Sequence, residues 1–404
     1  MKLTRAAILT VGDELLGGRT INTNAPYLAQ RLTDAGFLVV ATDTVGDDEF
    51  AIADALKRLA GRADAVVVAG GLGPTPDDVT REALAGAAGK LVVVDRALKT
   101  EVLAKAGGRS PRRNARMARV PEGATVFKNP VGMAAGLRVE MGGTPVYALP
   151  GVPLELEAIF EESVLPDLKA SFAGTEPVPS RVLRVFGLRE AEVAEKLGEL
   201  LERGKDPVVG VTVRDGIITI TVTGAAAVQR AKDIRERLSR NVFGEGDQTL
   251  ASVVLDALRE RGMTLALAES ITGGMLASLL VDHPGASEVF KGGIVAYTVE
   301  AKRDSLGIPK TLLAKEGTVS EAVALRMARA AKKQFKTKVA IATTGVAGPE
   351  LDERGTPAGR GFVAVAGPKG ETAVAVSCRG DRNAVRRRFA WTALDLLRQR
   401  LRKG

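Results

Sequence analysis

Short apolar runs that alternate with helical patterns and end in glycine most narrow the folds open to this chain. Ala6 to Val11, Phe37 to Val45 and Ala65 to Ala69 have strand length. Between them a helix is expected from Asn24, as its cap, through Ala35, with Pro26 in its first turn and Gly36 beyond its end. Phe50 to Leu59 reads as a second helix. Strands alternating with helices imply a parallel sheet covered on both faces, whose ligands bind beyond the carboxyl ends of the strands.

Three polar clusters fall at those ends. They are Gly12-Asp13-Glu14 with Asn22 and Asn24, then Gly46-Asp47-Asp48, then Gly70-Gly71-Leu72-Gly73-Pro74-Thr75-Pro76-Asp77-Asp78-Val79-Thr80 leading into a helix. Glycines before a helix start can cradle a phosphate. Carboxylates beside that cradle would repel it unless a divalent cation lies between. Helix capping explains any one of Asp48, Asp77 and Asp78. Three clusters at one edge exceed what capping alone explains. The Walker A pattern is absent, and Gly70-Gly71-Leu72-Gly73 has the wrong spacing for a dinucleotide fingerprint.

This loop, with Asp78-Val79-Thr80, resembles the molybdopterin-binding family of the MoaB and MogA type. Gly12-Asp13-Glu14-Leu15-Leu16, Thr23-Asn24, Asn129-Pro130-Val131-Gly132 with Gly136, and Leu149-Pro150-Gly151-Val152-Pro153 are similar to the N-terminal half of the CinA (competence/damage-inducible) family. That resemblance implies a doubly wound domain over 1–170 that cleaves ADP-ribose with a divalent metal such as Mg2+. The implied nucleotide and phosphate contacts are Gly12, Asn24, Gly70, Gly71, Gly73 and Thr75. Glu14, Asp47, Asp48 and Asp78 are the implied metal or acid–base groups. Met133-Ala134-Ala135 departs from the family's usual Thr-Ala-Pro in the pocket wall.

Composition loosens from Ser171 to Glu176, and Pro177 and Pro179 follow. Val182 to Phe186, Glu190 to Leu201, Val208 to Val213, Ile217 to Val222 and Val228 to Leu238 then read as a small βαββα unit. Asp215-Gly216 marks its hairpin. It is similar to KH or ferredoxin-like folds and is expected to span 171–247. A Gly-x-x-Gly loop, the RNA grip of KH modules, is missing. The segment is therefore expected to connect and to oligomerise, as a homodimer, rather than to bind nucleic acid.

The remainder, 248–404, turns on Ala268-Glu269-Ser270-Ile271-Thr272-Gly273-Gly274, between a buried strand, Met263 to Ala268, and a helix, Met275 to Val281. Backbone N–H groups at such a turn can hold an anion or a developing oxyanion. Further strands are expected at Gly293 to Tyr297 and Val339 to Ala342, with a hairpin around Gly367-Pro368-Lys369-Gly370. Thr249 and Ser320 are expected helix caps, and Asp381 opens the terminal helix. The result is α/β with a mixed sheet. One His, His283, and one Cys, Cys378, in 404 residues cannot build a His-rich zinc site, a thiolate cluster or a disulfide framework. His283 precedes Pro284-Gly285 and is expected in a solvated turn. A nucleophilic Ser here needs another base, and Lys is the usual substitute.

This domain resembles the C-terminal half of the CinA family and the stand-alone nicotinamide mononucleotide deamidases. The matching pieces are Ala268-Glu269-Ser270 with Thr272-Gly273-Gly274, Ala296-Tyr297 with Glu300-Ala301-Lys302, Thr343 to Pro349, and Gly380-Asp381-Arg382 with Val385-Arg386. The resemblance implies Ser270 as nucleophile and Lys302 as base, without a cofactor. It places Thr272, Gly273, Gly274, Tyr297, Thr344 and Arg386 on the substrate, with Gly273 and Gly274 N–H as oxyanion donors and Arg386 on the 5′-phosphate. The two halves together imply a cytoplasmic hydrolase of pyridine-nucleotide recycling. A molybdenum-cofactor protein and a non-enzymatic adaptor in DNA uptake or repair are the alternatives. Net charge is +9, which favours anionic partners. Met1-Lys2-Leu3-Thr4-Arg5 leads straight into a strand, so no signal peptide is expected, and no apolar run approaches membrane-spanning length. The basic segments Arg386-Arg387-Arg388 and Arg398 to Lys403 are expected on a largely solvated helix face.

Overall fold

The computed structural model describes residues 4–202 and 206–402. Residues 1–3 of the expected leaderless start and Lys403 of the basic tail lie outside them. The chain forms two compact units, Met1–Val178 and Pro179–Gly404.

In the first unit, six strands lie in the order Leu38–Val45, Arg5–Val11, Ala65–Ala69, Thr144–Leu149, Gly136–Met141, Thr125–Phe127. The first four are parallel and the last two antiparallel. Ala65–Ala69 is buried along its whole length, as a central strand covered on both faces must be. Leu28 and Leu32 of helix Asn24–Asp34 pack on one face with Leu156 and Phe160. Ile52, Leu56 and Leu59 of helix Glu49–Ala60 pack on the other. Truncating any of these to Ala removes about 2–5 kcal/mol. Asn24 does not cap its helix. It begins it, and Asn22 Oδ1 accepts from Ala25 N–H at 3.1 Å instead.

The second unit opens with a four-stranded antiparallel sheet, Val208–Arg214, Ile217–Thr223, Ser180–Val185, Val242–Glu245, covered by helices Glu190–Leu197 and Ala227–Leu238. The fourth strand adds to the βαββα pattern; it is four residues long and contains glycine, so it carries little alternation to read. A five-stranded mixed sheet follows in the order Phe290–Val295, Leu265–Glu269, Val339–Gly345, Arg360–Gly367, Gly370–Ser377. Its first three strands are parallel, the hairpin antiparallel.

The terminal helix Arg382–Arg402 lays Phe389, Leu394 and Leu397 on this sheet. Its basic residues are not simply solvated. Arg398 is 2% exposed, bonded to Asp395 and to the Arg240 carbonyl. Arg388 stacks over Phe186 at 4.6 Å, and Arg387 meets Asp215. These cations clasp the small sheet to the larger one. Among the described residues no helix is long and apolar enough to cross a membrane.

Candidate active sites

Parallel pairing of Leu265–Glu269 with Phe290–Val295 sets Glu269 opposite Val295, so the two strands end level. Ser270 follows one strand. Ala296 follows the other, its N–H on the Glu269 carbonyl at 2.8 Å. Thr298 then caps helix Val299–Leu306, whose Lys302 points back at the serine. Lys302 Nζ lies 2.8 Å from Ser270 Oγ and donates to the Ala296 carbonyl at 3.0 Å. The lysine is 2% exposed and has no carboxylate partner among the described residues. Burial alone pulls its pKa down from 10.5 to about 8. A neutral amine within hydrogen-bond reach of a hydroxyl is a general base poised near neutral pH.

Ser270 and Lys302 open on a cavity of about 510 Å³ that Tyr297 and Thr344 also line. Thr272, Gly273, Gly274 and Arg386 are not in its lining. Thr272 is buried, its hydroxyl 2.7 Å from that of Thr343. The N–H groups of Gly273 and Gly274 are already used, which corrects the expected oxyanion hole. Gly273 N–H bonds the Ser270 carbonyl at 3.0 Å. Gly274 N–H bonds the buried Glu269 carboxylate at 2.9 Å, and so do Leu276 and Ala277 at 3.0 and 2.8 Å. Glu269 thus occupies the helix N-terminus itself. Ile271 lines the cavity, and its N–H has no hydrogen-bond partner among the described residues.

Arg386 donates to the Thr272 carbonyl at 2.8 Å and so braces the turn from behind. The guanidinium on the cavity is that of Arg382, one helical turn earlier, held by the Tyr297 hydroxyl and the Gly348 carbonyl. Sequence reasoning quoted Arg382 within a motif but gave it no role. It also passed over Thr318, whose carbonyl accepts from Thr344 Oγ1 at 2.6 Å. His283 lies in a turn with Nε2 2.8 Å from Thr249 Oγ1, outside the lining.

The first unit carries a different cavity, about 470 Å³, at the carboxyl edge of its parallel strands. Gly12, Gly70, Gly71, Gly73, Glu14, Asp47 and Asp78 line it, joined by Asp77 and Glu155, which sequence reasoning left without a role there. No Lys or Arg does. Gly71 has φ +69°, and a Cβ there would strike the Thr80 hydroxyl, which donates to the Gly70 carbonyl. Asp78 is spent within the loop, accepting from Gly73 N–H at 2.7 Å, Thr75 N–H at 2.8 Å and the Thr75 hydroxyl. Buried Arg81 donates to the Leu72 and Gly73 carbonyls and fixes the loop from beneath. Asp48 caps the helix Glu49–Ala60, taking Ala51 N–H at 2.8 Å, and is outside the lining. Asn24 donates to the Gly151 carbonyl at 2.8 Å; neither it nor Thr75 lines the cavity.

Asp47 carries the electrostatic signature of the site. Burial raises its pKa; the Asp13 N–H it accepts at 2.9 Å opposes this, and the nearby charges of Asp13, Glu14 and Asp77 raise it further. Crowded carboxylates with no Lys or Arg beside them in the lining fit a bound divalent ion. Among the described residues, no three acidic, His or Cys groups converge on one ligand position. The fit is therefore to an ion held by few side chains, with water and phosphate oxygens completing its shell, as suits Mg2+.

Three family models match the chain. The one described as probable molybdopterin binding domain covers residues 7–170, the damage-inducible protein CinA KH domain covers 180–244, and the CinA C-terminal domain covers 247–401. The chain is 40% identical to a CinA-like protein of Frankia casuarinae, over 98% of this chain and 96% of that one. It is 40% identical to a CinA-like protein of Geobacter sulfurreducens over 98% and 99%, and 39% identical to one of Citrifermentans bemidjiense over 98% and 97%.

Proposed function

We propose, on the premise that this chain belongs to the CinA family, that it is a two-site hydrolase of pyridine nucleotides. The observation that carries the proposal is the buried Lys302 amine, without a carboxylate partner among the described residues, 2.8 Å from Ser270 Oγ. Neutral Lys302 takes the Ser270 proton as Oγ attacks the carboxamide carbon of nicotinamide mononucleotide. Ile271 N–H is the donor for the oxyanion, since Gly273 and Gly274 are committed. Lys302 returns the proton to the leaving nitrogen and ammonia departs. Water, deprotonated by the same lysine, then frees nicotinic acid mononucleotide. Arg382 is the 5′-phosphate partner, because its planar fork already faces the cavity.

The first unit is assigned cleavage of ADP-ribose to AMP and ribose 5-phosphate. Glu14 and Asp47 would hold a divalent ion there, with water and phosphate oxygens as its remaining ligands; it would screen the pyrophosphate and polarise a phosphoryl oxygen. Gly71 and Leu72 N–H, which have no partner among the described residues, face the substrate phosphates. Asp78 and Arg81 keep the loop in shape.

One assay tests both halves: purified protein on each nucleotide, with and without Mg2+, following ammonia and AMP. Ammonia release should be indifferent to metal, and AMP release should require it. No ammonia from nicotinamide mononucleotide under any condition would remove the deamidase assignment.

A further inference from the structure

Away from both cavities, a concavity of about 530 Å³ lies between helix Glu321–Gln334 and the turn that ends helix Val299–Leu306. Arg326, Arg329 and Lys333 line it from successive turns of one helix. Ser305, Gly307 and Gln334 add polar groups, and no carboxylate is in the lining. Positions i, i+3 and i+7 share a helix face, and like charges there repel one another. Arg329 is answered by Glu371 at 2.6 Å. The side chains of Arg326 and Lys333 make no hydrogen bond or ion pair with any described residue. The helix's one acid, Glu321, is in its first turn. Two cations without a partner among the described residues, beside a third paired with Glu371, leave net positive charge around a concave surface.

The spacing sets the size of the anion. Arg326 and Lys333 are seven residues apart, about 10 Å along the helix axis. One phosphate is too short to meet both ends. A chain of two or three phosphoryl groups reaches both, and guanidinium forks match its oxygens. We propose that this concavity binds a short polyphosphate chain, as the di- or triphosphate group of a nucleotide or the free inorganic anion. It is distinct from the mononucleotide cavity, with which it shares no lining residue.

The test is calorimetric titration of the full-length protein, in metal-free buffer of low ionic strength, with inorganic triphosphate and separately with a nucleoside triphosphate. Arg382→Ala serves as background, so that the guanidinium in the mononucleotide cavity is absent. One site per chain is expected, weakened at least tenfold by Arg326→Glu with Lys333→Glu. Equal affinity for the two anions means that the phosphates alone are read; tighter nucleoside triphosphate means that a base contact adds. These side chains are exposed, so the melting temperature should hold; if it falls, Arg326→Gln with Lys333→Gln replaces the charge reversal. Absence of binding, unchanged binding in the substituted protein, or affinity for single-stranded oligonucleotide that exceeds triphosphate and grows with length would each overturn the proposal.

Discussion

The two cavities share one local plan and opposite chemistry. Each lies where a parallel strand runs through glycines into a helix, and in each a carboxylate of the chain fills the turn. Asp78 takes Gly73 and Thr75 N–H in the first unit. Glu269 takes Gly274, Leu276 and Ala277 N–H in the second. What differs is what faces the open space. The first cavity presents carboxylates and no Lys or Arg; the second presents a buried amine, a hydroxyl and a guanidinium, with Glu350 and Asp352 also in its lining. A glycine turn ahead of a helix is therefore only a scaffold; the groups left unpaired around it decide between importing a cation and supplying a base.

The sharpest break of the comparison comes from the second site. Ser270→Ala and Lys302→Ala should each lower deamidation by about 10⁴-fold or more, and the double variant should be hardly worse, because both residues serve one proton transfer. ADP-ribose cleavage should stay within twofold of wild type in all three, by about the same assay error expected of independent sites. Multiplicative losses in the double variant would mean that the two side chains do not act together.

Chelation should do the converse. Removing divalent metal is expected to cut AMP release by about 10³-fold, with ammonia release unchanged, since Lewis-acid stabilisation contributes several kcal/mol. Asp47→Asn should weaken the metal response in the same direction. Reversible loss of both activities on chelation would abolish the contrast between the sites.

A third separation is by pH. Lys302 must be neutral to accept a proton, and its pKa is lowered to about 8. Deamidation should therefore rise about tenfold per unit below that value and level off above it. AMP release should not follow that profile. A deamidation rate flat from pH 6 to 9 would deny Lys302 the role of base.

Much of this was legible in the sequence, and the parts that were not share a cause. Strand–helix alternation gave the sheets, and the Ser270 and Lys302 motifs gave the pair, because strands that end level bring the residues after them together. Side-chain commitments were not legible. Asp48, Asp77 and Asp78 look alike as acids after a strand end, yet Asp48 caps a helix, Asp78 locks a loop, and Asp77 stays on the cavity. Glu269 sits beside the nucleophile, where its sequence position suggests chemistry; the fold turns it inward onto three N–H groups.

Arg382 and Arg386 give the finest test, since a sequence has no means of telling them apart. They are four residues apart, on one face of one helix and one turn, about 6 Å, from each other. Motif matching favoured Arg386 for the substrate phosphate. The structure puts Arg386 on the Thr272 carbonyl and Arg382 on the cavity with Tyr297. Losing a charge-assisted bond to a phosphate removes about 1.5–3 kcal/mol. Arg382→Ala should then raise KM for nicotinamide mononucleotide about 10- to 100-fold with little change in kcat, since each 1.4 kcal/mol is tenfold. Arg386→Ala should leave KM near wild type. Its effect should be a loosened Ser270 turn, seen as a kcat a few-fold lower and a melting temperature lower by a few degrees. The converse, with KM raised by Arg386→Ala and untouched by Arg382→Ala, would return the phosphate to Arg386. The turn-bracing bond would then have to break when substrate binds.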